Sequence, residues 1–429
     1  MPSRARGWFA PLLSVSALLA GVAAHAHEHD NTAPKSNDSR VEIYGRLDLG
    51  VASFRGIEPG TTTMLQSGLS AGSGIGFKGT EDLGGGWKAL FRLEHGFRAD
   101  RGDVNQAEPV SGRRVPDYAT AGIPEAVAPL MREALGDFLI ARTRQNFWAR
   151  QTLVGLVTPW GAVLAGRLYT PVFELFDRYN AMESGQVAEP FTLLAVPEAL
   201  EIRHSGAIQY RMELDGWSAA VSWSGASTSG LTPTGRLVGL QLGYETPRYS
   251  VAIGHQDRRN AQGGRELSNT LLGGWVQFDD IKVMGAWLRA RNPDPDLGLA
   301  LVAGTAGLSD DAVTQQLITD AAQVVAQRLG VDSHMGMLGA QVQLAPAWRL
   351  IGNVAHLDDR KLEHGQATLV GAALEYRLSP RTSLWTAASH IRNAADQQVA
   401  PVTSGDLIGF ALQPGQSTSA LQLNISHRF

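Results

Sequence analysis

From Val41 onward the chain alternates with a period of two. Val41, Ile43, Leu47, Leu49 and Val51 are apolar, with Glu42, Tyr44, Arg46 and Asp48 between them. Successive side chains of a strand point to opposite faces, so this period describes a sheet with two unlike faces. The alternation recurs in Trp217, Ala219, Val221 and Trp223 against Ser218, Ala220, Ser222 and Ser224. It recurs again in Leu338, Ala340, Val342 and Leu344 against Gly339, Gln341 and Gln343. It closes the chain with Leu421, Leu423, Ile425 and Phe429 against Gln422, Asn424, Ser426 and Arg428. One face is apolar; the other is polar or very small.

A soluble sandwich also alternates, so the connections decide. Seven are very short: Glu81 to Gly86, Thr158 to Gly161, Glu213 to Gly216, Thr246 to Arg248, Asp279-Asp280, Ala345 to Ala347, and Ser379 to Arg381. Long polar or irregular stretches lie between them. Short turns at one end and long loops at the other are the pattern of an outer-membrane barrel. Trp87, Trp217, Tyr249 and Trp348 each follow a short turn at once, and Trp160 sits inside another. That places amphipathic rings at one level, as an interfacial girdle requires. Seven turns, with both termini on the turn side, predict an all-β transmembrane antiparallel barrel of about 16 strands, a size that leaves an aqueous channel. The small and polar face, rich in the chain's 48 glycines, is expected to line that channel.

The compartment follows from the N-terminus. Arg4 and Arg6 precede an apolar run from Trp8 to Ala24, then Ala24-His25-Ala26, a small-x-small cleavage site. This predicts a secretory signal peptide over residues 1–26, cleaved after Ala26. Residues 27–40 read as a flexible lead-in, and 41–429 as the barrel domain. His27, Glu28, His29 and Asp30 fix no coordination geometry, so no metal site is expected there. A net charge of −4 argues against nucleic acid as a partner, and the absence of Cys excludes thiolate metal sites and thiol catalysis. Two long connections carry helical patterns: Asp310 to Gly330, capped by Ser309, and Pro124 to Leu135, weakened by Pro129. Both are expected to decorate the long-loop side.

At this point the residues resemble a known family. Val41-Glu42-Ile43-Tyr44-Gly45-Arg46-Leu47-Asp48 and the run Gly76 to Gly86 are similar to the opening hairpins of general Gram-negative porins, the β-proteobacterial type above all. Val154-Gly155-Leu156, Gly161 to Arg167, Arg203 to Tyr210 and the terminal His427-Arg428-Phe429 continue the resemblance over nearly the whole mature chain. It implies a trimeric 16-stranded barrel whose third loop folds into the pore. It also implies an outer-membrane location and a water-filled channel for passive diffusion of small hydrophilic solutes and ions. Expected partners are two further copies of the chain, outer-membrane lipid, the barrel-assembly machinery and the solutes; no cofactor and no catalytic residue is implied.

The resemblance places the third loop within Tyr169 to Ile202. That segment holds Glu174, Asp177, Glu183, Glu189, Glu198 and Glu201 against the single base Arg178. In the family such acids face a ladder of wall arginines. Arg150 and Arg203 align with two ladder positions, and Arg46 with an inward basic position of the first strand. Arg167 lies on the polar side of its strand and joins them. A further ladder position reads Gly74, which makes the constriction less basic at that level. The candidate constriction is therefore Arg46, Arg150, Arg167 and Arg203 opposite Glu174, Asp177, Glu183 and Glu189. Phe429 is the candidate assembly signal. Alternatives are a porin selective for a small anion or another solute, a barrel acting as adhesin or anchor, and an outer-membrane hydrolase. Against the last, the chain has no His-Glu-x-x-His and no Gly-Lys-Ser/Thr.

Overall fold

A computed structural model describes residues 39–429 apart from 104–114, 144–146, 149, 184–185, 195–198, 226–233, 261–262, 294–295, 362–364 and 404–408. The expected signal peptide and nearly all of the lead-in lie outside the described residues. The strands are β1 (Arg40–Arg55), β2 (Thr61–Ser67), β3 (Gly74–Gly84), β4 (Trp87–Gly96), β5 (Thr152–Thr158), β6 (Gly161–Tyr169), β7 (Arg203–Leu214), β8 (Trp217–Ser224) and β9 (Thr234–Glu245). They continue as β10 (Tyr249–Asn260), β11 (Arg265–Phe278), β12 (Ile281–Asn292), β13 (Val331–Ala345), β14 (Trp348–Asp359), β15 (Gly365–Arg377), β16 (Thr382–Asn393) and β17 (Thr418–Arg428). Each pairs antiparallel with its neighbours, and β17 returns to β1, so the sheet closes and leaves no edge.

These 17 segments make a 16-strand barrel, because β2 and β3 are two halves of one wall strand. Leu49 to Arg55 of β1 pair with β2, and Arg40 to Arg46 pair with β3. Between the halves, Gly68 to Ser73 leave the ladder. Their backbone groups are satisfied by the fully buried Asp48, whose Oδ1 accepts from Leu69 N at 2.7 Å and Ser70 N at 3.2 Å. Asn424 Nδ2 donates to both Asp48 oxygens at 3.2 Å, and Gln422 Nε2 to Leu69 O at 2.8 Å. The break is thus tied to the closing seam.

All seven short turns fall between paired strands on one end. Their aromatics meet there: Trp87 and Trp160 lie edge to face at 6.1 Å, Trp217 and Tyr244 are 5.0 Å apart, and Trp348 stacks on Tyr376 at 4.3 Å. Above this ring the outward residues are apolar and exposed, among them Val221, Leu240, Ile253, Leu272, Leu338, Val370, Leu421 and Leu423. Apolar side chains exposed all round a closed sheet have lipid as their solvent.

The helical connections differ in detail from expectation. One helix runs Ala128–Thr143, with Pro129 in its first turn, where a missing N–H costs nothing; Pro129 starts this helix and does not break it. The other runs Ala312–Arg328, and its cap is Asp311, not Ser309: Asp311 Oδ2 accepts from Thr314 N at 2.8 Å, while Ser309 Oγ accepts from Asp311 N one turn earlier. A carboxylate is the stronger acceptor at a helix N-terminus. A short helix, Asp296–Gly304, packs beside it.

These helices share one apolar core. Val127, Met131 and Leu135 from the β4–β5 loop meet Leu301, Ile318, Ala322 and Val325 from the β12–β13 loop and Phe410 from the β16–β17 loop. Gln398 accepts from Asp117 N at 2.6 Å and donates to Asp117 Oδ2 at 3.1 Å. The β4–β5 and β12–β13 connections stand half a ring apart in strand order. A core shared between them therefore bridges the mouth of the barrel. The expected surface decorations form a cap.

Candidate functional site

The third loop begins where β6 ends. Thr170 caps the helix Pro171–Arg178: its Oγ1 accepts from Phe173 N at 3.2 Å and donates to Glu201 O at 2.7 Å, so one hydroxyl joins the two ends of the loop. Val172, Phe173, Leu175 and Phe176 are buried. From there the loop crosses the inner wall, held by side chains on β13, β14 and β17. Gln341 Nε2 donates to Ala181 O at 2.8 Å, Asn353 Nδ2 to Ala188 O at 2.9 Å, and Val187 N to Gln422 Oε1 at 2.8 Å.

Two kinds of wall residue make room for it. A Cβ on Gly273 would stand 2.4 Å from Tyr179, and one on Gly371 would stand 2.5 Å from Ala188 Cβ. Other inward positions are apolar and covered: Leu271, Met284, Leu288, Met335, Ile351, Leu369, Trp385 and Ile391 pack in one cluster with the loop. The expectation of a polar, glycine-rich face turned to water is corrected here. Much of the inner wall from β11 to β16 faces the loop, and its glycines are seats for loop backbone.

The basic residues gather elsewhere. Arg46 on β1 lies within electrostatic reach of Arg150, Arg150 of Arg203, and Arg203 of Arg167. Like charges held together need partners that fix them. Arg150 Nη2 donates to Ser73 O at 2.9 Å. Arg203 Nη2 donates to Tyr169 Oη at 2.9 Å, and its guanidinium stacks on that ring at 4.6 Å. Arg167 Nη1 donates to Ser205 Oγ at 2.7 Å. Tyr44 donates to Glu94 at 2.7 Å in the same neighbourhood. A Cβ at Gly74 would lie 2.8 Å from Arg150 Nη1. Gly74 therefore does not leave its level without charge: the Arg150 guanidinium lies over it.

The loop acids separate. Glu183, held at φ +57°, is the one the structure brings within reach of Arg46, and it also accepts from Arg349 on β14 and from Gln341 Nε2 at 3.2 Å. Arg349 bonds Glu375 as well, at 2.8 Å. Glu174 is 7% exposed and forms an ion pair with Arg211 of β7, so it turns to the wall and away from the arginine row. Glu201 pairs with Arg258, which also holds the fully buried Glu266. Asp177 lies in the last turn of the loop helix, and Glu189 N donates to Gln186 O at 2.9 Å. Glu198 lies outside the described residues. Sequence reasoning missed Arg211, Arg258 and Arg349. The available signal was their inward parity on strands that pass under the loop.

Gly68-Leu69-Ser70-Ala71-Gly72 matches the Gly-x-Ser-x-Gly string of some hydrolases. Here Ser70 lies between two half-strands, and its described hydroxyl partner is the Asp48 carboxylate, not a histidine. Among the described residues no group of three His, Asp or Glu could hold a metal ion.

The profile of the Gram-negative porin family matches residues 13–396. The chain belongs to the Gram-negative porin family. It is 26% identical over 228 residues to major outer membrane protein P.IB of Neisseria lactamica, covering 52% of this chain and 55% of that protein. The chain thus spans about half the length of the P.IB relatives it matches. Outer membrane porin protein 32 of Delftia acidovorans is 23% identical over 404 residues, with 91% of this chain and 94% of that protein covered. Among solved structures, the anion-selective porin from Comamonas acidovorans superposes with a TM-score of 0.64 at 19% identity, over 91% of this chain and all of that one. The porin therefore resides in the outer membrane, with its short turns and aromatic ring at one interface.

Proposed function

We propose that this porin forms a water-filled channel for passive diffusion of small hydrophilic solutes, and that its eyelet favours anions. The observation that carries the reading is the row Arg46, Arg150, Arg203 and Arg167 beside the loop. Formal counting sets six loop acids and Arg178 against four wall arginines, which leaves the sign undecided. Glu174 is engaged by Arg211, a base outside the row. Glu183 and Glu201 are engaged by Arg349 and Arg258, which are shared with Glu375 and Glu266. The reading therefore rests on the clustering of four guanidinium groups, which stay charged whatever their surroundings. Opposed charges across a narrow section orient polar solutes and disfavour apolar ones. The anion-selective porin among the similar folds fits this sign. The purified protein in a planar bilayer under a KCl gradient should show a reversal potential on the chloride side; a cation-side potential would refute the sign, and no conductance would refute the channel.

The assembly we propose is a homotrimer resting on the outer faces of early and late strands. A solved porin-like fold from Vibrio cholerae is described as a trimer form. Unheated in mild detergent, the protein should migrate well above the mass of one chain (45.9 kDa before removal of the expected signal peptide) and drop to the monomer position on boiling. One unheated band at monomer mass across several gentle detergents would overturn the trimer.

Phe429 joins the last strand to the first. Gly45 N donates to Phe429 O at 2.9 Å and Phe429 N to Gly45 O at 3.1 Å, while the ring occupies the space beside Gly45. We propose that the terminal aromatic is also the feature the barrel-assembly machinery reads. Deleting Phe429 should lower the outer-membrane fraction several-fold and raise periplasmic degradation, measured by fractionation and blotting. Unchanged surface levels would remove that role.

A further inference from the structure

On the outward face, four arginines stand on four consecutive strands just above the lipid-facing belt. They are Arg236 on β9, Arg259 on β10, Arg265 on β11 and Arg291 on β12, all exposed. Arg259 and Arg265 are direct cross-strand partners, an arrangement that like charges disfavour. Arg236 lies on the strand beside Arg259, whose neighbour Arg258 pairs with Leu237. Arg291 pairs with Ser268. Two carboxylates in the described structure face the group: Asp257, which interacts with Arg265 and lies 3.3 Å from His255 Nε2, and Asp332, the cross-strand partner of Arg291. Arg259 Nη1 also donates to Gly263 O at 3.0 Å. The next base along the rim, Arg289, is engaged by Asp332. Directly below on the same four strands lie Leu240, Ile253, Leu272 and Trp287, each between 43% and 49% exposed.

We propose that these four arginines bind the phosphate groups of the phosphorylated glycolipid of the outer leaflet. The apolar belt beneath takes the acyl chains of that lipid, which brings its phosphates to the level of the arginines. Guanidinium groups bind phosphate by paired, charge-assisted hydrogen bonds, and several on adjacent strands match a headgroup that carries more than one phosphate. An anion between Arg259 and Arg265 converts their repulsion into attraction. The chain as a whole carries −4, so this patch is a local reversal of sign.

The test uses the whole protein in neutral detergent. Diphosphorylated lipid A is titrated in, and thermal unfolding and bound lipid per protomer (by native mass spectrometry) are read together. The expected result is saturable stabilisation and bound lipid A, with no effect from the dephosphorylated glycolipid. The double variant Arg259→Gln and Arg265→Gln should raise the half-saturating concentration about tenfold. Its single-channel conductance should match the parent, which separates this site from the eyelet. Equal lipid A binding by parent and variant overturns the proposal. So does equal protection by inorganic pyrophosphate, which would make the patch a free-anion site.

Discussion

Replacing Arg150 and Arg203 together with Ala is expected to move ion selectivity toward cations several-fold and to raise single-channel conductance. Both side chains belong to the arginine row, and neither has a carboxylate as its described hydrogen-bond partner: Arg150 donates to a backbone carbonyl and Arg203 to a phenol. In the eyelet we propose, their charge acts on permeating ions. A unit charge several ångströms from a permeating ion, in a passage less polar than bulk water, contributes about 1 kcal/mol or more. A change of about 1.4 kcal/mol is tenfold in a ratio, so losing two charges is a large effect. Loss of two long side chains widens the passage at the same time. The shift should be largest in dilute KCl and shrink near 1 M, where the screening length falls to about 3 Å. Reversal potentials that stay the same in dilute KCl would show that these arginines do not line the constriction.

Met131→Asp should open the mouth and leave the barrel standing. Met131 is 0% exposed in the core that joins the loops from opposite sides of the ring. An unpaired carboxylate there costs roughly 3 kcal/mol or more. The helices share that core with one another, not with the closed sheet, so the penalty falls on the cap. Conductance and uptake of larger sugars should rise in liposome swelling assays, while the heat-resistant barrel band on gels stays in place. An unchanged size limit would mean that solutes already pass beside the cap. Met131→Leu serves as the volume-matched control and should behave as the parent.

Much of this was legible in the chain. Alternation, seven short turns and the aromatics beside them dictate strand direction, barrel closure and which face meets lipid. Those properties follow from local chemistry repeated along the chain: a period of two cannot serve a helix, and lipid on one side demands an apolar residue at every other place. The grouping of Arg46, Arg150 and Arg203 was an expectation from the resemblance, since Arg150 precedes β5 and no strand parity places it.

The tertiary structure decided what depends on partners distant in sequence. That the second wall strand breaks in two is set by Asp48, Gln422 and Asn424, the last two brought from the far end of the chain by closure of the ring. The occupant of the level at Gly74 is Arg150, from a different loop. Glu174, Glu183 and Glu201 are formally identical, yet each is held by a different wall base, Arg211, Arg349 and Arg258, and Glu183 lies within reach of Arg46 as well. Gly273 and Gly371 read as small lumen-facing residues until the loop backbone is seen against them. A loop's path over the wall and a cap bridging half the ring are sums of contacts between segments more than a hundred residues apart, and no local period encodes such a sum.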